Sequence, residues 1–494
     1  MTKATISLEG NLMKPNAIMF VGALTLLSML GGGLLRADEG QIAGMINDLQ
    51  KQITDMQKTI AQQNATIAKQ DDKLRQIQGG NVQMAAPASG EATPPMSDYE
   101  FNERLGNALG GANKWLKDLK FKGDLRLRYE AFDYTNGTTA ESDSQNRFRF
   151  RLRFGFEKKL SDEMDVGFAL ASGATSSGTN VDPTSTNATF DNLFNFKDIM
   201  IEKAYAKYSP KFMQVGPIEK VTIAGGKFDN PFEKGSSDMI WDRDVKPEGV
   251  YEKIDLNVLD GEEIDINAYG LAGQFVLDED TAASDDADAE LYAFQVGVNA
   301  IAYTPFMERP IDFLSAFSFY NYNDYHLNGN YLIGTTSLAR GNSNYDGVTG
   351  SLDSRFNVIE SYNELAFYPM GVPLRPYFDV AVNTTADSAN TQYDEGLAWA
   401  LGTKVGGIQK KGDWELSYAY KRIEANSVVG AFNDSDFGTG HSNKRGSVFK
   451  AGYGLTDFLS LNAAAFFVNN LTTGTAGVRD EETRRFQMDL VWKF

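Results

Sequence analysis

The chain has 494 residues, enough for several ordinary domains or for one large β structure with an appendage. It carries 66 Asp and Glu against 47 Lys and Arg, and the formal net charge of −19 argues against nucleic acid as a partner. It contains no Cys, which excludes disulfides, thiolate metal sites and covalent c-type haem attachment on this chain.

Residues 1–37 predict a secretory signal peptide. A flank with Lys3 and Lys14 precedes the apolar run 17–35, and the small residue Ala37 follows that run. The run is nearly long enough to span a bilayer, so an uncleaved anchor is the alternative. Translation could begin at Met1 or at Met13, since Met13 opens a more usual signal. We therefore leave this segment out of the fold argument.

Residues 38–78 predict a periplasmic coiled coil. Apolar residues recur at spacings of four and three over about five heptads, and Ile at most a positions favours a trimer over a dimer. A single amphipathic helix lying on the barrel or the membrane is the alternative. The repeating residues are Ile42, Ile46, Leu49, Ile53, Met56, Ile60, Ile67, Leu74 and Ile77.

Residues 79–119 predict a flexible linker, because their first half is rich in Gly, Ala, Pro and Ser and has no periodicity. Residues 99–119 could form a short helix, although two consecutive glycines, Gly110 and Gly111, weaken that prediction.

From Lys120 to Phe494 the chain reads as alternating β-strands, and the clearest example lies within residues 145–160. A period of two places charged and apolar side chains on opposite faces of a strand. The apolar set is Phe148, Phe150, Leu152, Phe154 and Phe156, and the charged set is Arg147, Arg149, Arg151 and Arg153. The strand therefore has one apolar face and one cationic face.

The connections between these strands alternate between long and short. Eight long polar connections and seven short ones imply sixteen strands, with both ends of the sheet on one side. Short turns on one side, long loops on the other and an even strand count are typical of outer-membrane barrels. A soluble β-sandwich or repeat protein is the competing fold, but it requires all-apolar core strands. We predict an all-β transmembrane barrel of about 16 antiparallel strands over residues 120–494.

Three stretches resemble the bacterial general porins, and in particular the "putative porin" family with an N-terminal coiled coil. They are the GKFDNPF stretch 226–232, the WDRD stretch 241–244 with its continuation to 250, and the terminal strand 486–494. The resemblance implies that the third external loop folds inward and narrows a pore, and that Phe494 is read by the barrel-assembly machinery. It also implies an outer-membrane location, with lipid and lipopolysaccharide as neighbours.

Six arginines are predicted to line the pore, because Arg126 and Arg128 precede the cationic face of Arg147, Arg149, Arg151 and Arg153 on an antiparallel strand. They could concentrate anions in the pore, or they could pair with carboxylates and brace the wall. The third long connection, 229–249, is the predicted constriction and faces them with an acidic rim; an ordinary solvated loop is the alternative. Its charged residues are Asp229, Glu233, Lys234, Asp238, Asp242, Arg243 and Asp244.

Catalysis and metal binding have little support in the sequence. The two histidines, His326 and His441, fall in or beside predicted external loops, and Asp434, Asp436 and Ser442 near His441 read as polar loop residues. The acidic stretch 278–290 lacks the ordered spacing of a calcium loop. We expect no enzyme activity, no cofactor and no resident metal.

The predicted function is a homotrimeric outer-membrane porin that passes ions and small hydrophilic solutes by passive diffusion. The coiled coil would hold three barrels in alignment or reach toward peptidoglycan. The alternative function is a barrel scaffold that sheathes a redox partner or tethers the envelope.

Overall fold

The computed structural model describes residues 119–135, 142–173, 183–279, 288–304, 309–325, 342, 354–386, 395–438, 442–471 and 482–494. The predicted signal peptide, the coiled coil and the linker up to residue 118 lie outside these residues. So do most of the acidic stretch 278–290 and both histidines. The predictions made for them stay predictions.

The described residues form seventeen β-strands. The strands are β1 Leu119–Thr135, β2 Ser142–Lys159, β3 Met164–Gly173, β4 Ala188–Thr189, β5 Asp198–Tyr208, β6 Ile218–Lys227, β7 Glu248–Asp260, β8 Ile264–Asp278, β9 Ala289–Ala302, β10 Ile311–Asn323, β11 Phe356–Ala366, β12 Leu374–Asn383, β13 Leu397–Gly406, β14 Trp414–Ile423, β15 Lys444–Gly454, β16 Leu459–Asn470 and β17 Glu482–Lys493. Four three-residue 3-10 turns lie between strands, at Asn192–Phe194, Lys211–Met213, Glu233–Gly235 and Pro369–Gly371.

Sixteen of these strands close into an antiparallel barrel, which confirms the predicted fold. Each wall strand pairs with its neighbours in chain order, and β17 pairs with both β16 and β1. The exception is β4, which pairs with β2 beyond the point where β3 ends. Closure pairs the first wall strand with the last, so the wall strands make their ladder hydrogen bonds with one another.

Seven connections share one end of the barrel, which we call the turn end, and the others share the opposite end, which we call the loop end. The turn-end connections are 160–163, 209–217, 261–263, 303–310, 367–373, 407–413 and 455–458. The third long connection spans 228–247 rather than 229–249, because Glu248 and Gly249 pair with Lys227 and Gly226 in the β6–β7 ladder. The ladder of β1 and β2 likewise runs on to Thr135 and Ser142, so the first loop-end connection is residues 136–141 and is not a long one.

The apolar face of β2 points outward and its arginine face points into the barrel. Phe148 is 58% exposed and Phe154 42%, as expected for side chains that face lipid rather than a protein core. Aromatic residues also cover the outside elsewhere, including Phe313, Phe317 and Trp414. Within the ranges that the structure describes, no helix is both long enough and apolar enough to span a bilayer.

An apolar core lies inside the barrel, between the wall and two loops. Loop 3 is residues 228–247, between β6 and β7, and loop 7 is residues 424–443, between β14 and β15. Strand β10 shows why the core forms there: Phe313 and Phe317 face outward, whereas Leu314, Tyr320 and Tyr322 are buried inside. The core residues from the loops are Phe228, Phe232, Met239, Ile240, Trp241, Val245, Val428, Val429, Ala431 and Phe437.

Candidate functional site in the charged lumen

Strands β17, β1 and β2 place seven arginines on one part of the inner wall, and we call these seven the arginine wall. Arg126 pairs directly with Arg151 in the β1–β2 ladder, and Arg128 pairs with Arg149. The members are Arg126, Arg128, Arg147, Arg149, Arg151, Arg153 and Arg485. The sequence analysis missed Arg485, although its position opposite Phe132 on β1 puts it on the same inward face.

Six carboxylates lie within 4 Å of the arginine wall. Arg128 donates Nε and Nη2 to Asp489, each at 2.8 Å, and Arg151 lies 2.8 Å from Asp124. The carboxylates are Asp124, Glu130, Glu202, Asp244, Asp436 and Asp489. Seven arginines against six carboxylates leave the cluster close to neutral, so the arginines do brace the wall through ion pairs.

Loop 3 crosses the lumen and is tied to three parts of the wall. Near its middle the Ser236 hydroxyl donates to Glu360 on β11 at 2.6 Å, and both groups are buried. Further along, Asp238 lies 2.8 Å from Lys421 on β14. The loop then reaches the arginine wall, where Asp244 lies 2.6 Å from Arg153.

The predicted constriction residues therefore divide into two groups. Asp238, Asp242 and Asp244 are partly buried, whereas Glu233, Lys234 and Arg243 are exposed in the lumen. Arg243 and Glu233 form an ion pair of 3.3 Å in which the Arg243 side chain is 82% exposed. Asp229 lies apart at the start of the loop, 2.9 Å from Lys203 and 3.1 Å from Lys246.

Asp244 of the predicted acidic rim does not merely face the arginines but contacts Arg153 directly. The cause is the apolar half of loop 3: Phe228, Phe232 and Trp241 are each at most 3% exposed and pull the loop onto the inner wall. The loop thus reaches the arginine wall and joins it.

Loop 7 also folds into the barrel, which the sequence analysis did not predict. Asp434 lies 2.9 Å from the buried Lys421, and Asp436 lies 3.1 Å from Arg128 and 2.9 Å from Arg485. These two carboxylates had been taken for residues of an open polar loop. The available signal was the apolar content of residues 428–437, which is unusual for an exposed loop.

Loops 3 and 7 are bonded to each other. The Asp242 N–H donates to the Phe432 carbonyl at 2.6 Å, and the Ser435 N–H donates to Asp242 Oδ2 at 2.8 Å. The rings of Trp241 and Phe432 stack with centroids 5.7 Å apart. The two loops therefore form one roof over the remaining lumen.

Burial and neighbouring charges shift the pKa values of Asp242 and Asp244 in opposite directions. Burial opposes the ionisation of Asp244, but Arg153 and Arg151 outweigh it and lower the pKa of that carboxyl. Burial and then the negative charges of Asp244 and Asp434 raise the pKa of Asp242 to about 8, against two backbone hydrogen bonds that lower it. The Asp242 carboxyl therefore changes its protonation near pH 8 rather than near pH 4.

Two cavities that share several lining residues border loop 3, and one of them also borders loop 7. The first is about 420 Å³ and borders the arginine wall, and the second is about 330 Å³ and borders the opposite wall. Asp238, Arg243, Glu415 and Lys450 line both of them. Both acidic and basic groups border this space, and among the described residues no group of three or more metal-ligating side chains occurs.

Phe494 lies at the turn end, where the barrel closes. Its backbone exchanges two hydrogen bonds with Gly123 on β1, of 2.8 and 3.0 Å. A Cβ at Gly123 would lie 2.4 Å from the Phe494 ring, so the ring covers the glycine.

Comparisons with known proteins follow this geometry. Solved structures similar to this chain include Pseudomonas putida OprB at high pH, with 11% identity, 78% of this chain and 97% of that chain covered, and a TM-score of 0.45. They also include a loop L8 deletion mutant of OmpT, an outer membrane protein of Vibrio cholerae, with 11% identity, 76% and 100% coverage, and a TM-score of 0.37. No curated protein sequence matches the chain. The model of the family described as "Putative porin" matches residues 135–348 and 337–494, and the chain belongs to that family of outer-membrane channels.

Proposed function

We propose that this chain forms a channel through which ions and small hydrophilic solutes cross the outer membrane by passive diffusion. The observation that carries the proposal is the pair of neighbouring cavities inside a closed barrel, which share lining residues and are bordered by charged side chains of both signs. Such a lumen offers water and polar partners along the path of a solute and needs no cofactor. We also propose that the chain has no catalytic activity.

In this proposal loops 3 and 7 set the width of the pore and the wall charges set its preference among solutes. The exposed Arg243 projects into both cavities, where a solute must pass it. The near balance of seven arginines and six carboxylates supports a weak overall charge preference, since neighbouring opposite charges cancel at a distance.

The test is the current through single channels of the purified protein in planar bilayers. Stable ohmic steps support the channel, and a silent barrel favours the scaffold that sheathes a partner or tethers the envelope. A salt gradient then measures selectivity. Replacing Arg149 and Arg151 by Ser should move the reversal potential toward that of cations, and an unchanged potential would leave these arginines a bracing role alone.

The assembly of the protein is also a proposal. We expect a homotrimer whose conductance steps come in threes, with the predicted coiled coil over residues 38–78 in the periplasm, registering the barrels or contacting peptidoglycan. The terminal Phe494 would be read by the barrel-assembly machinery. Mass measurement of the detergent-solubilised protein, with and without residues 38–78, tests the trimer and the role of the coiled coil together.

A further inference from the structure

Two members of the arginine wall lack a close carboxylate. Five of the seven arginines have a carboxylate oxygen within 2.9 Å. For Arg126, by contrast, the nearest carboxylate among the described residues is Asp489 at 3.9 Å, and for Arg149 it is Glu130 at 3.7 Å. These distances exceed those of hydrogen-bonded ion pairs.

The two nearest carboxylates are already engaged by other arginines. Asp489 accepts two hydrogen bonds of 2.8 Å from Arg128, one on each oxygen. Glu130 accepts a hydrogen bond of 2.8 Å from Arg147. Arg126 and Arg149 are therefore the two members of the arginine wall that have no carboxylate at hydrogen-bond distance among the described residues.

Neutral groups from the segment before β4 hold these two guanidinium groups. Arg126 Nη2 donates to the Asn187 side-chain oxygen at 2.5 Å, and Arg149 Nη2 donates to the Asn187 carbonyl at 3.3 Å. The Nε atoms of Arg126 and Arg149 are buried without a hydrogen-bond partner, as are those of Arg147, Arg153 and Arg485. An amide oxygen thus occupies the position that a carboxylate occupies at the other arginines.

The position is open to the lumen. Arg126 and Asn187 both border the cavity of about 420 Å³, together with Arg151 and Arg153. Arg151 lies directly across the ladder from Arg126, so its charge adds to the local potential. A guanidinium presents several N–H donors in one plane, which suits the paired oxygens of a carboxylate or a phosphate better than a single halide ion.

We propose that Arg126, with Arg149 and the Asn187 amide, forms an oxyanion-binding subsite in the lumen. The carboxylate or phosphate group of a passing solute replaces the Asn187 side-chain oxygen at Arg126 and stays bound transiently before it moves on. The subsite gives the channel a preference for small organic acids and phosphorylated solutes. This inference rests on the proposed channel function.

The experiment titrates inorganic phosphate, and separately succinate, into a potassium chloride bath while the chloride conductance of single channels is measured. Wild-type conductance should fall to a plateau as the subsite fills. Arg126→Gln should raise the half-saturating concentration about tenfold or more, as expected for the loss of one charge-assisted hydrogen bond. Lys211→Gln removes one charge from the turn-end connection 209–217, which borders neither cavity, and should leave the half-saturating concentration unchanged.

A second variant keeps every arginine in place. Asn187→Asp puts a carboxylate where the solute would bind, so it should abolish the plateau without the removal of a cation. If both variants keep the wild-type half-saturating concentration, or if wild-type conductance never saturates, the subsite does not exist although the channel does. A wild-type protein that conducts nothing contradicts the channel itself. Calorimetric titration of phosphate into the detergent-solubilised protein then tests the subsite by itself. Binding heat in the wild type that is absent from Asn187→Asp supports the subsite, and the absence of binding heat in the wild type overturns it.

Discussion

The roof over the lumen depends on Trp241, and its replacement by Ala gives the sharpest test of the two-loop arrangement. Trp241 is 3% exposed, stacks on Phe432 of loop 7 and meets Tyr320 of β10 edge-on at 5.6 Å. Truncation of a buried aromatic residue costs about 3–5 kcal/mol. Since 1.4 kcal/mol corresponds to a factor of about ten, the ratio of docked to released loop should fall by at least about a hundredfold.

Release of loop 3 should widen the pore and expose its basic residues. We therefore expect Trp241→Ala to raise the single-channel conductance and its noise. Trypsin added to the variant should cleave after Lys234 or Arg243, which lie on loop 3 inside the wild-type barrel. The ion pair of Asp244 with Arg153 still holds one end of the loop, so the barrel itself should stay folded.

Trp414→Ala is the matched control. Trp414 is the first residue of β14, is 43% exposed and faces outward, so its loss removes an equal side chain without touching either loop. Wild-type conductance and trypsin resistance in both variants would refute the idea that Trp241 holds the roof together.

Three further changes probe other contacts. The pKa of Asp242 is raised to about 8, so the docked loops favour the protonated carboxyl. The stabilisation of docking by this protonated carboxyl is complete below about pH 4, declines as the pH rises and is lost above about pH 8. Conductance recorded from pH 5 to 9 should therefore increase in the wild type, and Asp242→Asn should flatten that profile. Lys421→Met leaves two loop carboxylates without their buried cation, which should destabilise the roof by about 3–5 kcal/mol and raise the trypsin sensitivity of loop 3. Gly123→Val places side-chain atoms against the Phe494 ring and the Arg153 carbonyl, so unboiled gels should show less of the compact, folded barrel.

The barrel could be predicted from the sequence because its determinants are local. Alternation with a period of two in β2 separates the phenylalanines from the arginines whatever the rest of the chain does. The strand count followed from the number and lengths of the connections, which are also local features of the sequence. Loop boundaries were less accurate, because pairs such as Thr135 with Ser142 extend the ladder beyond the segment that alternates in polarity.

The lumen was harder to predict, because its contacts join residues far apart in the chain. Arg128 and Asp489 are 361 positions apart, and Arg153 and Asp244 are 91 apart. Charge alone therefore showed which residues face inward but not which carboxylate meets which arginine. One usable signal was overlooked: the inward face of β10 carries Leu314, Tyr320 and Tyr322, although a face that meets pore water is expected to be polar.

Loops 3 and 7 supply part of the negative charge that offsets repulsion within the arginine wall. Seven arginines packed on three adjacent strands would repel one another, and four of the six carboxylates that offset this repulsion come from the barrel strands themselves. The other two, Asp244 and Asp436, come one each from loops 3 and 7. Undocking either loop therefore removes a negative charge from the wall as it widens the pore. Pore width and charge preference should consequently change together, and a wider channel of this kind should also be a more anion-selective one.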